Sequence, residues 1–182
     1  MQKTAVHAKT HTPLLIQTNV PLADKNWFKT GGSARFYCEP TTTEQFQEAI
    51  IYATTHNLPI FMLGQGANIL ISDDGFDGLV IRPLLRSTSF LLRQGYEGQV
   101  EGQATSEDFV LVTADAGVTM PDLIDYCLNN NLIGLEEFSG IPGTVGGSVY
   151  INLHYFNFLL ASFLVSAEVI NKKNRYFGNS QR

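Results

Sequence analysis

Cysteine, tryptophan and positive charge are all scarce in this chain, and each shortage removes a class of function. The two cysteines, Cys38 and Cys127, stand far apart and match no metal-ligand spacing, so neither a dense disulfide framework nor a zinc site is expected. A reducing, cytoplasmic setting fits that usage best. Lys and Arg number 12 against 17 Asp and Glu, a formal net charge of -5. A surface built to neutralise a nucleic-acid backbone needs a clustered basic excess, so nucleic acid is not an expected partner. Residues 1–18 hold Lys3 and Lys9 but no continuous apolar stretch, which excludes a signal peptide and leaves residues 1–19 as an expected flexible leader. The longest apolar run, 156–165, is broken by Asn157 and Ser162 and is about half of the ~20 residues needed to span a bilayer. The histidines His7, His11, His56 and His154 show no partner at metal spacing, and no internal repeat or Walker-type G-x-x-x-x-G-K-[ST] pattern is present.

What remains is ordinary globular material, 44% hydrophobic and 11% aromatic, in alternating strand and helix signals. Residues 34–39 form a strand closed by Pro40. Thr41/Glu44 and Thr42/Gln45 then have capping-box spacing, and Phe46, Ala49, Ile50 and Ala53 fall on one helical face running to about His56. Short apolar runs at 60–63, 69–71 and 79–81 read as strands, separated by a glycine turn and by the turn-forming segment 72–78. Residues 94–102 are a further glycine-rich turn region, and 111–114 is a strand. Thr119 and Asp122 start a second helix with Pro121 in its first turn. Leu123, Ile124, Cys127 and Leu128 form its apolar face, and Asn129 to Asn131 end it. The order predicts an α+β chain of two lobes: a small βαβ lobe over 20–85 and a larger mixed lobe over 86–182, with the break between Ile81 and Phe90.

Two glycine-rich turns carry the chemistry. In Leu63-Gly64-Gln65-Gly66-Ala67-Asn68 the paired glycines let backbone N–H groups converge on an anion such as a diphosphate, although a plain tight turn between strands would use the same residues. A Rossmann fingerprint requires G-x-G-x-x-G opening a helix, and here Ile69 stands at the third glycine with strand-like residues after it. The second turn, Ser139-Gly140-Ile141-Pro142-Gly143-Thr144-Val145-Gly146-Gly147-Ser148, concentrates four glycines and several hydroxyls. Each glycine costs about 0.5–1 kcal/mol of backbone entropy relative to alanine in regular structure, so the density argues for a ligand.

Taken with Trp27-Phe28-Lys29-Thr30-Gly31-Gly32-Ser33-Ala34, Ala116-Gly117-Val118 and Gly134-Leu135-Glu136, these two turns make the chain resemble the MurB family over about residues 20–171. Those are the UDP-N-acetylenolpyruvoylglucosamine reductases of peptidoglycan precursor synthesis. The resemblance implies the two-lobed FAD-binding domain of the vanillyl-alcohol-oxidase/PCMH type, with the FAD diphosphate between the lobes. It further implies NADPH as co-substrate, a UDP-sugar substrate and a cytoplasmic enzyme. Gly64, Gln65, Gly66, Ala67 and Asn68 would clasp one side of the phosphate and ribose region, and Ser139, Gly140, Ile141, Gly143, Thr144, Gly146 and Gly147 the other. Gly117 would allow close approach near the adenine or ribose. By the same resemblance the serine proton donor and late glutamate belong to a later substrate domain, expected to be absent from residues 1–182, and no catalytic residue or metal ligand is assigned here. In the family, Asn152 is followed by a Gly-Ala-Tyr-Gly type turn, where this chain has Leu153-His154-Tyr155-Phe156. The alternative implied by the missing residues is a stand-alone flavin or nucleotide binder without reductase turnover.

Overall fold

The structure, a computed structural model, describes residues 12–93, 109–170 and 176–177. The glycine-rich segment 94–102 and the first eleven residues of the expected leader lie outside these.

A four-stranded sheet forms the first lobe. Strand β1 (Gln17–Pro21) pairs antiparallel with β2 (Ser33–Cys38); helix α1 (Thr43–Thr55) then crosses to β3 (Ile60–Met62), and β4 (Phe76–Ile81) inserts between β2 and β3, parallel to both. Because side chains alternate across a strand, β4 serves both faces of the sheet. Leu79 and Ile81 join Cys38 and the Ala49, Ile50 and Ala53 face of α1, while Val80 joins Leu22, Ala34, Tyr37 and Leu63 on the opposite face. Of the two capping boxes, Thr42 with Gln45 starts α1. The Thr42 hydroxyl accepts the Gln45 N–H at 3.2 Å, and Gln45 Oε1 accepts the Thr41 N–H at 2.8 Å.

Several expectations shift. Residues 12–19, expected to belong to the leader, are part of the first lobe: β1 begins at Gln17, Leu14 and Ile16 pack on the core, and the Thr12 carbonyl accepts Gln45 Nε2 at 3.0 Å. Edge strand β1 is nearly all exposed and so has no alternating pattern to announce it. Residues 69–71 are not a strand, since Ile69 and Ile71 pack onto the first lobe in irregular backbone. Strand β4 instead starts at Phe76, inside the segment expected to be turn.

Residues 82–87 lead to the second lobe. Strands β5 (Thr88–Arg93) and β6 (Phe109–Ala114) make an antiparallel pair, followed by α2 (Met120–Asn129), which Thr119 caps by accepting the Asp122 N–H at 3.1 Å. Its buried face is Met120, Leu123, Ile124 and Cys127; Leu128, expected there, is 49% exposed, because at 3.6 residues per turn it falls on the flank of the stripe those four share. The expected glycine turn is only partly a turn. Its last residues open a short helix, α3 (Val145–Tyr150), capped by Thr144, whose hydroxyl accepts the Gly147 N–H at 3.2 Å. Phe138, Met120, Ile124, Leu153 and Leu160 form the core beneath it. Two small pairs follow, β7 (His154–Tyr155) with β8 (Phe158–Leu159) and β9 (Val169–Ile170) with β10 (Tyr176–Phe177). No helix among the described residues is long and apolar enough to cross a membrane.

Burial, and secondarily the Glu39 carboxylate, pushes the Cys38 thiol up to about 12. A thiol held neutral in the fold contributes stability that is whole below the unfolded thiol's ordinary range and is lost as pH rises through that range toward the folded value. Urea titrations at about pH 8 and about pH 10 should therefore show the wild type losing stability, at a limiting slope near 1.4 kcal/mol per pH unit, and Cys38→Ala losing less. An equal loss in both would remove Cys38 as the cause.

Candidate functional site

The parallel strands β2, β3 and β4 all end at one edge of the first sheet, and ligands of open α/β sheets bind outside such carboxyl ends. The first glycine turn leaves β3 there. Leu63 N–H bonds the Ile81 carbonyl at 2.9 Å and Arg82 N–H the Cys38 carbonyl at 2.9 Å, which sets Arg82 and Glu39 beside the turn. Arg82 Nη1 pairs with Glu39 Oε1 at 3.6 Å, and the Tyr37 hydroxyl donates to the same oxygen at 2.6 Å. Burial first, then that carboxylate, holds the Tyr37 proton well above its ordinary range.

A loop that sequence reasoning left unassigned closes over the turn. Leu22 N–H bonds the Gly32 carbonyl, and Asn26, 3% exposed, donates from Nδ2 to the carbonyls of Leu22 and Thr30, each at 2.8 Å. Trp27 N–H bonds the Gly66 carbonyl at 3.1 Å, so loop and turn are one unit. Between them lies an open pocket of about 290 Å3 lined by Asp24, Lys25, Asn26, Trp27, Lys29, Gln65 and Arg82. Its cations sit on a chain that is acidic overall. The signals available were the Gly31-Gly32 pair and the Trp27-Phe28-Lys29 run, but nothing in their spacing shows that Asn26 ties the loop. Asn26 Oδ1 and Thr30 Oγ1 are buried without a partner among the described residues.

Donors, the currency of an anion site, are unevenly shared between the turns. Among the described residues no acceptor takes the backbone N–H of Gly64, Gln65, Gly66, Ala67 or Asn68. These are five consecutive backbone donors left without an acceptor in a turn where Gly66 takes φ +68, the kind of backbone from which anion-binding concavities are built. In the second turn most N–H groups are used internally. Val145 bonds Val118, Gly146 bonds Ala116, Gly147 bonds the Thr144 hydroxyl, and Gly143 bonds Gln65 Oε1 at 2.8 Å. The backbone N–H groups of Gly140 and Thr144 have no such partner among the described residues. Ser139 and Gly140 are exposed, Ile141 is half-buried against Met120 and Phe138, and a Cβ on Gly140 would meet nothing within 4 Å.

Glycine serves close approach at most of the remaining positions. A Cβ at Gly64 would lie 2.7 Å from Thr144 Oγ1, and one at Gly146 would lie 2.8 Å from Ala116 Cβ. Gly117 faces the Leu85 and Pro83 carbonyls, 2.5 and 2.6 Å from where its Cβ would be, so its tight neighbour is the connection between the lobes. The turns thus meet through Gly64 against Thr144 and Gln65 against Gly143.

Residues 34–176 match the family model described as FAD binding domain. The chain belongs to the FAD-binding domain family. Curated relatives bear out the MurB resemblance. The protein of Treponema pallidum named UDP-N-acetylenolpyruvoylglucosamine reductase is 34% identical over 86% of this chain and 41% of its own length, and that of Synechococcus sp. 36% identical over 86% and 46%. The chain therefore spans a little under half of these relatives. Among solved structures, MurB from Thermus caldophilus superposes with a TM-score of 0.62 at 24% identity, covering 91% of this chain and 52% of that one. p-Cresol methylhydroxylase superposes with a TM-score of 0.54 at 17% identity, covering 89% and 29%. These two establish the architecture, the two-lobed FAD-binding domain. Its run of unpartnered backbone N–H groups fits a phosphate-bearing cofactor, and no cluster among the described residues is suited to a metal ion.

Proposed function

We propose that this FAD-binding domain is the flavin-holding part of a UDP-N-acetylenolpyruvoylglucosamine reductase, a cytoplasmic enzyme that uses NADPH and a UDP-sugar substrate. The observation carrying the reading is the run of five unpartnered N–H groups from Gly64 to Asn68, set against the second turn in a chain whose curated relatives bear that name. Backbone N–H groups of Gly64, Gln65, Gly66, Ala67 and Asn68, with the Asn68 side chain, hold the diphosphate and ribose side of FAD. Ser139, Gly140, Ile141 and Thr144 face it from the second lobe, where Gly140 and Thr144 supply the free donors. Gly143, Gly146, Gly147 and Gly117 let that wall come close. FAD supplies the hydride chemistry when bound, and the residues of this chain bind and orient it.

Trp27 gives a direct test, being the single tryptophan of the chain, 61% exposed and on the pocket that includes Gln65. Titrating the protein with FAD should quench tryptophan emission saturably, because the flavin absorbs where tryptophan emits, and gel filtration should leave the protein yellow. No quenching and a colourless protein would overturn the reading.

One observation favours a second reading, a flavin binder without turnover. At the β7–β8 tip, Phe156 is 82% exposed at φ +51, where the family has a glycine-containing turn. NADPH oxidation stimulated by the UDP-sugar in the full-length protein would exclude that reading.

A further inference from the structure

We propose that the Gln65 side chain is a positioning residue, a strut whose oxygen sets the second turn, and not a donor to the ligand; this rests on the reading of the two turns as the FAD grip. Gln65 belongs to the first turn, yet its Oε1 accepts the Gly143 N–H at 2.8 Å across a sequence separation of 78. Among the described residues this is the one hydrogen bond between the turns.

Its consequence lies in what Gly143 controls. Gly143 sits at φ +143, and a Cβ there would have only Ser148 Oγ, at 3.6 Å, within reach, so local packing leaves its backbone loosely determined. Two bonds determine it instead. Gln65 holds the peptide on its N–H side, and Met120 N–H bonds its carbonyl at 2.9 Å. The Gly143 carbonyl and the Thr144 N–H belong to one planar trans peptide and point in opposite directions within its plane. Fixing the carbonyl on Met120 therefore aims the Thr144 N–H, one of the two free donors of this turn, away from α2. The Gln65 bond removes the remaining freedom, rotation of the preceding peptide. A donor fixed before the ligand arrives spares the ordering cost on binding.

The orientation of the amide distinguishes a strut from a donor. An acceptor role survives replacement by glutamate and fails with methionine, which keeps the length and loses the oxygen. A donor role toward a diphosphate instead leaves exchange of the Gly143 amide unchanged by either substitution. FAD dissociation constants should be measured for wild type, Gln65→Glu and Gln65→Met, together with hydrogen exchange of the Gly143 amide in the absence of flavin. We expect Gln65→Met to bind about five- to tenfold more weakly, the worth of one ordinary hydrogen bond, with Gly143 protection lost. Gln65→Glu should keep the Gly143 protection that Gln65→Met loses, while its added charge beside the diphosphate turn weakens FAD binding whichever role the side chain has. Methionine matching wild type in FAD affinity, Gly143 protection kept in Gln65→Met, or Gly143 protection lost in Gln65→Glu would overturn the strut. Wild type failing to bind FAD would instead sink the flavin reading, and Gly143 exchange in the three proteins would still decide the strut.

Discussion

Gly66→Val is expected to lower the thermal midpoint by roughly 10 °C and to abolish stable FAD uptake. Gly66 lies at φ +68, and a Cβ there would stand 2.6 Å from Asn26 Cβ, 2.7 Å from Asn26 Cα and 3.0 Å from the Lys25 carbonyl. Two of those atoms are backbone, so no side-chain rotation relieves the clash. A β-branched residue in the left-handed region costs roughly 1–2 kcal/mol, and overpacking a close contact adds about 1–3 kcal/mol. The damage reaches the site because Asn26 ties together the 22–32 loop and Trp27 N–H bonds the Gly66 carbonyl. Gly140→Ala is the internal control. Its φ is +80 but nothing lies within 4 Å, so only the conformational cost of about 1 kcal/mol applies. Calorimetry and flavin retention on the two variants check the contrast; equal effects would show that close packing is not what Gly66 provides.

Phe138→Ala should destabilise the second lobe by about 3–5 kcal/mol, the usual cost of emptying a fully buried phenylalanine site. Phe138 has no exposed surface, packs with Met120, Ile124, Leu153 and Leu160, and meets Phe163 edge-on at 6.1 Å between ring centroids. It also begins the second turn, its carbonyl accepting the Ile141 N–H at 3.2 Å. Loss of the ring therefore loosens both the core and the support of Ser139 and Gly140. Urea titration followed by near-ultraviolet dichroism should show the midpoint falling, with Phe138→Leu losing much less. A wild-type midpoint in Phe138→Ala would mean that this cluster does not hold the lobe.

Such costs explain why the glycines were legible and their roles were not. A glycine-dense sequence signals backbone in need of space or positive φ, but is silent on which neighbour claims the space. At Gly66 it is Asn26, at Gly146 it is Ala116, and at Gly117 it is the carbonyls of residues 83 and 85, all distant in sequence or on another element. Among the described glycines only Gly140 has nothing within reach of an added Cβ. The difference between the two turns in free backbone donors has the same cause. The N–H groups of Val145 and Gly146 pair with Val118 and Ala116, a contact set by how α2 and α3 pack and invisible in either segment alone.

Local chemistry was sufficient where a signal acts within one turn of chain. The caps Thr42 and Thr119 work through hydroxyls three residues from the N–H groups they accept, and the apolar face of α1 follows from a period of 3.6. These, with the order of strands, helices and glycine turns, made the α+β architecture and the flavin family readable from sequence alone. The tertiary structure decided which backbone donors remain free, that Asn26, Trp27 and Arg82 share a pocket with Gln65, and that Gln65 reaches Gly143. Each of those depends on two segments meeting in space, and the free energy of such meetings comes from packing and desolvation, which local sequence does not encode.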